Sequence, residues 1–276
     1  MSKSALVFAG QGAQFVGMGK DLAEAYPECR ALFDRADEVL GFNISKLCFE
    51  GPIEEVTKSN NCQPAIFATS MACWAALSRE KPGLVPAGAA GLSLGEWTAL
   101  HMGGALSFED TLRILEARGR FMQQACEEKQ GGMVSVIGLT VEKLREICQA
   151  TGVELANLNS PEQTVLSGNK KGVEEAEKLA KAAGAKRTVV LNVAGAFHSA
   201  LMASAASRLK DFLAGVRIEP CRIPVVANVT GRPHGTPEEI RETMVRQVTS
   251  SVQWVSCIQW LRDQGAGTYV ECGPGK

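Results

Sequence analysis

The chain has 276 residues, 45% of them hydrophobic and 21% charged, which suits a large domain, or a large and a small one, with a sizeable core and excludes a disordered chain. Its 29 basic and 30 acidic residues leave a net charge of −1, which argues against nucleic acid or an anionic membrane as the main partner. No apolar run reaches the roughly 18 residues of a membrane span, and the run at 5–9 is too short for a signal-peptide core. Nine scattered cysteines include no C-x-x-C pair, so reduced thiols in a cytoplasmic protein are expected, with no metal site and no disulfide framework.

Residues 4–9 read as a first buried strand opening into the loop Gly10-Gln11-Gly12-Ala13-Gln14. That loop lacks the Lys-Ser/Thr and the G-x-G-x-x-G spacing of phosphate-binding loops. It is either a plain turn or a loop that offers a backbone N–H to a reaction centre. Helical patterns follow at 19–40 and 63–79, and Pro82, Gly83 and Pro86 punctuate the approach to an apolar strand over 84–90. Gly91-Leu92-Ser93-Leu94-Gly95 comes next, and 96–102 has helical spacing. A Gly-x-Ser-x-Gly between strand and helix is the nucleophile elbow, which places a hydroxyl at the tip of a sharp turn. An oxyanion forming there would meet backbone N–H groups at the positive end of the following helix.

The next helix spans 107–126 with Ser107 as its N-cap. Arg118 alone of its arginines has apolar neighbours one turn away on both sides, Ile114 and Leu115 behind, Phe121 and Met122 ahead. A guanidinium on the core side needs a partner. The choices are an internal carboxylate, a snorkelling side chain, or a substrate carboxylate gripped bidentately.

Gly131-Gly132 break the chain, and the rhythm changes to strand 133–139, helix 141–150, strands 153–158 and 163–168, helix 172–183 and strand 186–193. The order βαββαβ is the ferredoxin-like split unit, read as a small domain at 128–195 inserted into a large one at 1–127 and 196–276. His198, in Gly195-Ala196-Phe197-His198-Ser199, falls on the strand-to-helix connection at the junction. A hydroxyl nucleophile needs a base, and there are only three histidines. His101 lies about two turns beyond the elbow, and His234 sits in a polar turn expected in solvent, so His198 is the candidate. A strand at 223–229, helices at 238–248 and 252–262, and a strand at 267–272 complete the pattern, and the turn Gly273-Pro274-Gly275-Lys276 predicts a further segment after it.

Taken in order, Phe8-Ala9-Gly10-Gln11-Gly12, Gln63-Pro64-Ala65, the Ser93 elbow, Arg118-Gly119, Ala196-Phe197-His198-Ser199, Asn228-Val229, Gln247 and Glu271-Cys272-Gly273-Pro274-Gly275 resemble the malonyl-CoA:acyl-carrier-protein transacylases and the acyltransferase domains of polyketide synthases. The resemblance implies an α/β fold, a large hydrolase-like domain with a mostly parallel sheet and an inserted ferredoxin-like βαββαβ subdomain. It implies Ser93 as nucleophile and His198 as base, with Gln11 and Leu94 backbone N–H groups forming the oxyanion hole. Arg118 would bind the malonyl carboxylate, Phe197 marks the malonyl-selective form of its motif, and the Gln247 carbonyl would orient the imidazole. Malonyl-CoA and a phosphopantetheinylated acyl carrier protein are the implied substrates, with no bound cofactor and a monomeric chain. Leu92 departs from the family's usual His. The activity should rise with pH through a histidine pKa of about 6.5, shifted by the site.

Two other readings compete. A serine thioesterase on the same elbow would carry an Asp or Glu to orient the imidazole, for which Glu154 and Glu174 are candidates. A carrier-docking module would have no activity at all. Lys186, Arg187, Arg208, Lys210 and Arg232 are candidates for a positive rim facing CoA phosphates and an acidic carrier.

Overall fold

The computed structural model describes residues 3–275, so Lys276 of the terminal turn lies outside the described residues. The elements run β1 (Lys3–Phe8), α1 (Lys20–Ala25), α2 (Pro27–Leu40), α3 (Ile44–Glu50), α4 (Ile53–Thr57), α5 (Ser59–Glu80), β2 (Ala89–Gly91), α6 (Leu94–Met102) and α7 (Phe108–Glu128). They continue with β3 (Gly132–Ile137), α8 (Val141–Thr151), β4 (Glu154–Ser160), β5 (Gln163–Gly168), α9 (Lys170–Ala182) and β6 (Arg187–Val190). The chain finishes with α10 (Ala203–Leu213), β7 (Val225–Val226), α11 (Pro237–Gln247), α12 (Trp254–Asp263) and β8 (Ala266–Cys272).

Two sheets organise these elements. The first is parallel, in the order β7-β2-β1-β8. The short inner strands β2 and β7 are wholly apolar and buried, as expected of strands covered on both faces, while β8 at the edge is largely exposed. Leu6 and Phe8 join the large core with Phe33, Phe67 and Trp97, while Ala5, Ala90 and Val226 meet Cys257 and Leu261 of α12 on the other face. The second sheet is antiparallel, in the order β4-β5-β3-β6, the order of a ferredoxin-like unit. Val134 and Val136 of β3 pack on α8 and α9, whereas Met133 on the opposite face joins the large core. Alternation along one strand thus lets the small sheet hold its own helices and also close over the large sheet.

Strand order places the site. β1 pairs with β2 so that Phe8 lies opposite Gly91. The loops after these parallel neighbours, carrying Gln11 and Ser93, therefore emerge side by side at the carboxyl ends of the strands, where ligands bind in such sheets. β7 flanks β2 on the other side, so Asn228 arrives next to the elbow.

Several expectations needed correction. The helix expected over 19–40 is two helices, because Pro27 at the first turn of α2 pushes Tyr26 into an extended conformation (φ −129°, ψ 114°). Helices α3 and α4 were not anticipated; at seven and five residues they are too short for a periodic pattern to stand out. The strands expected over 84–90 and 223–229 shrink to three and two residues, since pairing lasts only where β1 and β2 offer partners.

Gly91 shows how tight the elbow is. A Cβ there would sit 1.9 Å from the backbone of Gly95, one helical turn ahead. Backbone cannot swing aside as a side chain can. Gly91→Ala is therefore expected to lower the unfolding free energy by about 3 kcal/mol or more, checked by urea denaturation; a wild-type midpoint would contradict the packing.

Candidate active site

Ser93 stands at the junction of β2 and α6 with φ 55° and ψ −104°, and His198 has φ 58°. Among the described residues these are the only non-glycine positions with positive φ. Such conformations cost about 1–3 kcal/mol each, and both strained residues face one another. Ser93 Oγ lies 2.8 Å from His198 Nε2. The other ring nitrogen, Nδ1, donates to the Gln247 carbonyl at 2.9 Å and the Ser250 carbonyl at 3.1 Å. Carbonyl oxygens only accept, so the proton sits on Nδ1 and Nε2 presents its lone pair to the hydroxyl.

Burial reinforces that state. His198 is only 4% exposed, and loss of hydration, with the positive charge of Arg118 nearby, pulls its pKa down to about 4 against the opposing effect of the two carbonyls. The ring is neutral at pH 7 and competent as a base. The acid limb of the reaction is therefore expected well below the ordinary histidine value of about 6.5. Stability follows the same sign. Between pH 6.5 and 4 the unfolded chain binds a proton that the folded chain resists, so stability falls as pH drops through that window. The difference in urea-unfolding free energy between wild type and His198→Gln should change by on the order of 3 kcal/mol from pH 7 to pH 4. A pH-independent difference would contradict the buried neutral ring.

Arg118 is on the inner face of α7 and 1% exposed, while Arg113 and Arg120 pair with Asp110 and Glu116 at the surface. No carboxylate touches Arg118 among the described residues. Nη1 donates to Gln63 Oε1 at 2.6 Å, and Nη2 donates to Ser93 Oγ at 3.0 Å and Gln247 Oε1 at 3.1 Å. Its Nε is buried without an acceptor. Burial lowers its pKa to about 10, which leaves the guanidinium charged at neutral pH. Of the three partners open to it on sequence grounds, the internal carboxylate and the solvent-reaching head are both absent. Gly119 makes the placement feasible. A Cβ there would come within 2.2 Å of the Ser59 carbonyl, so α7 can approach the start of α5 closely enough for Gln63 to reach the guanidinium.

A cavity of about 270 Å³ opens over these groups, lined by Gln11, Ser93, Leu94, Arg118, Phe197 and His198 from the parallel-sheet side and by Met133, Asn157 and Val165 from the small sheet. Neither the Gln11 N–H nor the Leu94 N–H has an acceptor among the described residues, and both residues border the cavity beside Ser93. Leu92 also lines it, adding an apolar wall where the resemblance would place an imidazole.

The structure also contradicts some expectations. His234 is not in solvent: its side chain is 1% exposed and Nε2 meets Glu96 Oε1 at 2.7 Å. The turn is polar because its backbone is at the surface while the ring points inward. His101 bonds the Leu106 carbonyl and packs edge-on to Phe67, away from Ser93. Glu154 accepts from the Ala200 N–H and Glu174 is exposed on α9, so neither touches the imidazole. None of the five candidate rim cations lines the cavity; Lys186 and Arg208 are paired with Glu162 and Glu128.

Three further residues, none given a role by a motif of its own, complete the site. Asn228 accepts from the Ser93 N–H at 2.7 Å and donates to the Gly91 carbonyl at 2.8 Å, pinning both sides of the turn. Gln63 fixes Arg118. Glu96 is fully buried within the first turn of α6. Its visible signal was a charge set among Leu94, Trp97, Ala99 and Leu100, all of them buried.

Comparison with known proteins agrees with this arrangement. The acyl transferase domain family matches residues 5–275. The malonyl CoA-acyl carrier protein transacylase of Bacillus subtilis is 43% identical over 281 residues, spanning 100% of this chain and 88% of its own. An acyl carrier protein S-malonyltransferase from Vibrio cholerae superposes with a TM-score of 0.95 at 39% identity, covering 100% of this chain and 91% of that one. A malonyl-transacylase solved in complex with its type II polyketide-synthase acyl-carrier protein gives a TM-score of 0.95 at 40% identity over 99% of this chain and 90% of that one. With a strained serine facing a neutral imidazole and full-length similarity of this kind, the chain belongs to the acyl transferase family that includes the malonyl CoA-acyl carrier protein transacylases.

Proposed function

We propose that the chain moves a malonyl group from coenzyme A to the phosphopantetheine thiol of an acyl carrier protein. The observation that carries this reading is the buried, carboxylate-free Arg118 donating to the hydroxyl of Ser93. An acyl group bound to Ser93 and bearing a terminal carboxylate would meet that cation, whereas an uncharged acyl group would leave it desolvated and unpaired.

In this reading His198 Nε2 takes the Ser93 proton as Oγ attacks the thioester carbonyl. The Gln11 and Leu94 N–H groups hold the oxyanion, each lowering the barrier by about 3 kcal/mol. The carbon–sulfur bond breaks, coenzyme A leaves with the proton from His198, and malonyl remains as an ester on Ser93. The carrier thiol, deprotonated by His198, attacks that ester and regenerates the hydroxyl. The Gln247 carbonyl keeps the ring in the required tautomer where a triad hydrolase would use a carboxylate, and Phe197 shapes the pocket beside the acyl chain. The boundaries 1–127 with 196–276 and 128–195 are part of the same proposal, with the small sheet closing the cavity from above. A cytoplasmic monomer completes it; all nine cysteines are unpaired, and among the described residues no helix is long and apolar enough to cross a membrane.

Intact-protein mass spectrometry after mixing with malonyl-CoA tests the reading. A single malonyl adduct that discharges on adding a phosphopantetheinylated carrier is expected. Free malonate without a transferred adduct would indicate a thioesterase instead.

A further inference from the structure

Behind the catalytic groups lies a second layer of polar side chains that the reaction as described does not use. Glu96, at the start of α6, is completely buried and makes three hydrogen bonds, two of them as acceptor at Oε2. Its Oε2 receives the Asn228 backbone N–H at 3.1 Å and the Gln247 Nε2 at 2.6 Å, and its Oε1 meets His234 Nε2 at 2.7 Å. A backbone N–H and an amide NH₂ can only donate, so Oε2 is an unprotonated acceptor.

Gln247 connects this carboxylate to the reaction centre. A guanidinium only donates, so the amide atom facing Arg118 must be oxygen, and the NH₂ group must face the other way, toward Glu96. The same NH₂ also donates to the Ser93 carbonyl at 2.8 Å, and the backbone carbonyl of Gln247 receives the His198 Nδ1 proton. One residue therefore touches the nucleophile's backbone, the base, the cation and the buried acid. Its amide dipole lies between a negative group and a positive one, aligned with both.

Resting on the acyl-transfer reading above, we infer that Glu96 is a positioning residue that acts through Gln247 and fills, at one remove, the electrostatic part of a triad acid. Its charge orients the Gln247 amide, offsets part of the charge of the buried Arg118, and favours the imidazolium that forms as His198 takes the serine proton. His234 is the outer support that holds the carboxylate in line. The charged and titratable groups facing Glu96 are His234, Arg118 across Gln247, and Cys257 of α12; the one facing His198 is Arg118.

The test is single-turnover acylation of the full chain by malonyl-CoA, wild type against Glu96→Gln. The amide has the same shape, and His234 can change tautomer to accept from it, so the substitution removes charge and little else. The maximal acylation rate should fall about tenfold, as expected for one charge acting across an intervening side chain. The half-saturating malonyl-CoA concentration should also fall, because Arg118 is less offset, and the acid limb should move to lower pH. A structural defect would raise that concentration and leave the limb in place. Glu96→Asp keeps the charge on a shorter arm, and its acid limb should stay at the wild-type position even as the rate drops. An unchanged rate in Glu96→Gln, or a displaced acid limb in Glu96→Asp, would overturn the inference. Failure of the wild-type chain to acylate at all would instead remove the acyl-transfer reading beneath it.

Discussion

Ser93→Ala is expected to eliminate the malonyl adduct and to reduce transfer by on the order of 10⁴–10⁶-fold. Among the described residues Ser93 Oγ is the one alcohol hydrogen-bonded to His198 Nε2, and in the proposed reaction it forms the ester of the intermediate. The loss should be chemical rather than structural. Asn228 pins the turn through the Ser93 N–H and the Gly91 carbonyl, and neither contact involves Oγ. Arg118 Nη2 keeps its bond to Gln247. Thermal unfolding of Ser93→Ala should therefore stay near wild type. Ser93→Gly, equally inactive, should be more stable than Ser93→Ala by about 1 kcal/mol, because glycine adopts a positive φ without strain. Intact mass spectrometry and a melting curve on the same samples decide both points. An adduct that persists in Ser93→Ala would move the nucleophile elsewhere.

Arg118→Ala should lower malonyl transfer about 10²–10³-fold while changing acetyl transfer from acetyl-CoA by less than about tenfold. The malonyl carboxylate would lose a charge-assisted pairing in a buried site, whereas acetyl has nothing to pair and is disfavoured in the wild type by the unpaired cation. Arg118→Lys is not a conservative control, since an ammonium cannot donate in two directions from one plane to Gln63 and Gln247 while also reaching Ser93. Arg118→Ala also removes a positive charge that depresses His198, so the acid limb of the residual acetyl activity should move to higher pH. Steady-state rates with both thioesters across pH measure all of this. Equal losses for malonyl and acetyl would show that Arg118 supports the fold of the pocket rather than selecting the acid.

Local pattern carried much of the architecture. The split βαββαβ order was legible because each of its elements is long enough to show its own period, and the helices over 141–151 and 170–182 carry clear apolar faces. The parallel strands were harder. β2 and β7 are so short that sequence places them but cannot bound them, and their extent depends on partners distant in the chain. Helix α1 was separated from α2 by a single proline that a periodicity count passes over.

The site divides the same way. Ser93, between two glycines at a strand-to-helix turn, was readable from its neighbours, and Arg118 from the apolar residues around it on one helix. The chain order alone indicated that each needed a partner. Tertiary structure decided who the partners are. His198 meets Ser93 from 105 positions away, and Gln247 reaches Arg118 from 129 away. His234, polar by its neighbours in sequence, is buried because Glu96 draws its ring inward. Sequence determines what a residue can do within about one turn of helix or one strand, because those contacts are set by backbone period. Which acceptor answers a buried donor is set by how separate segments pack, and that is decided only when the whole chain closes.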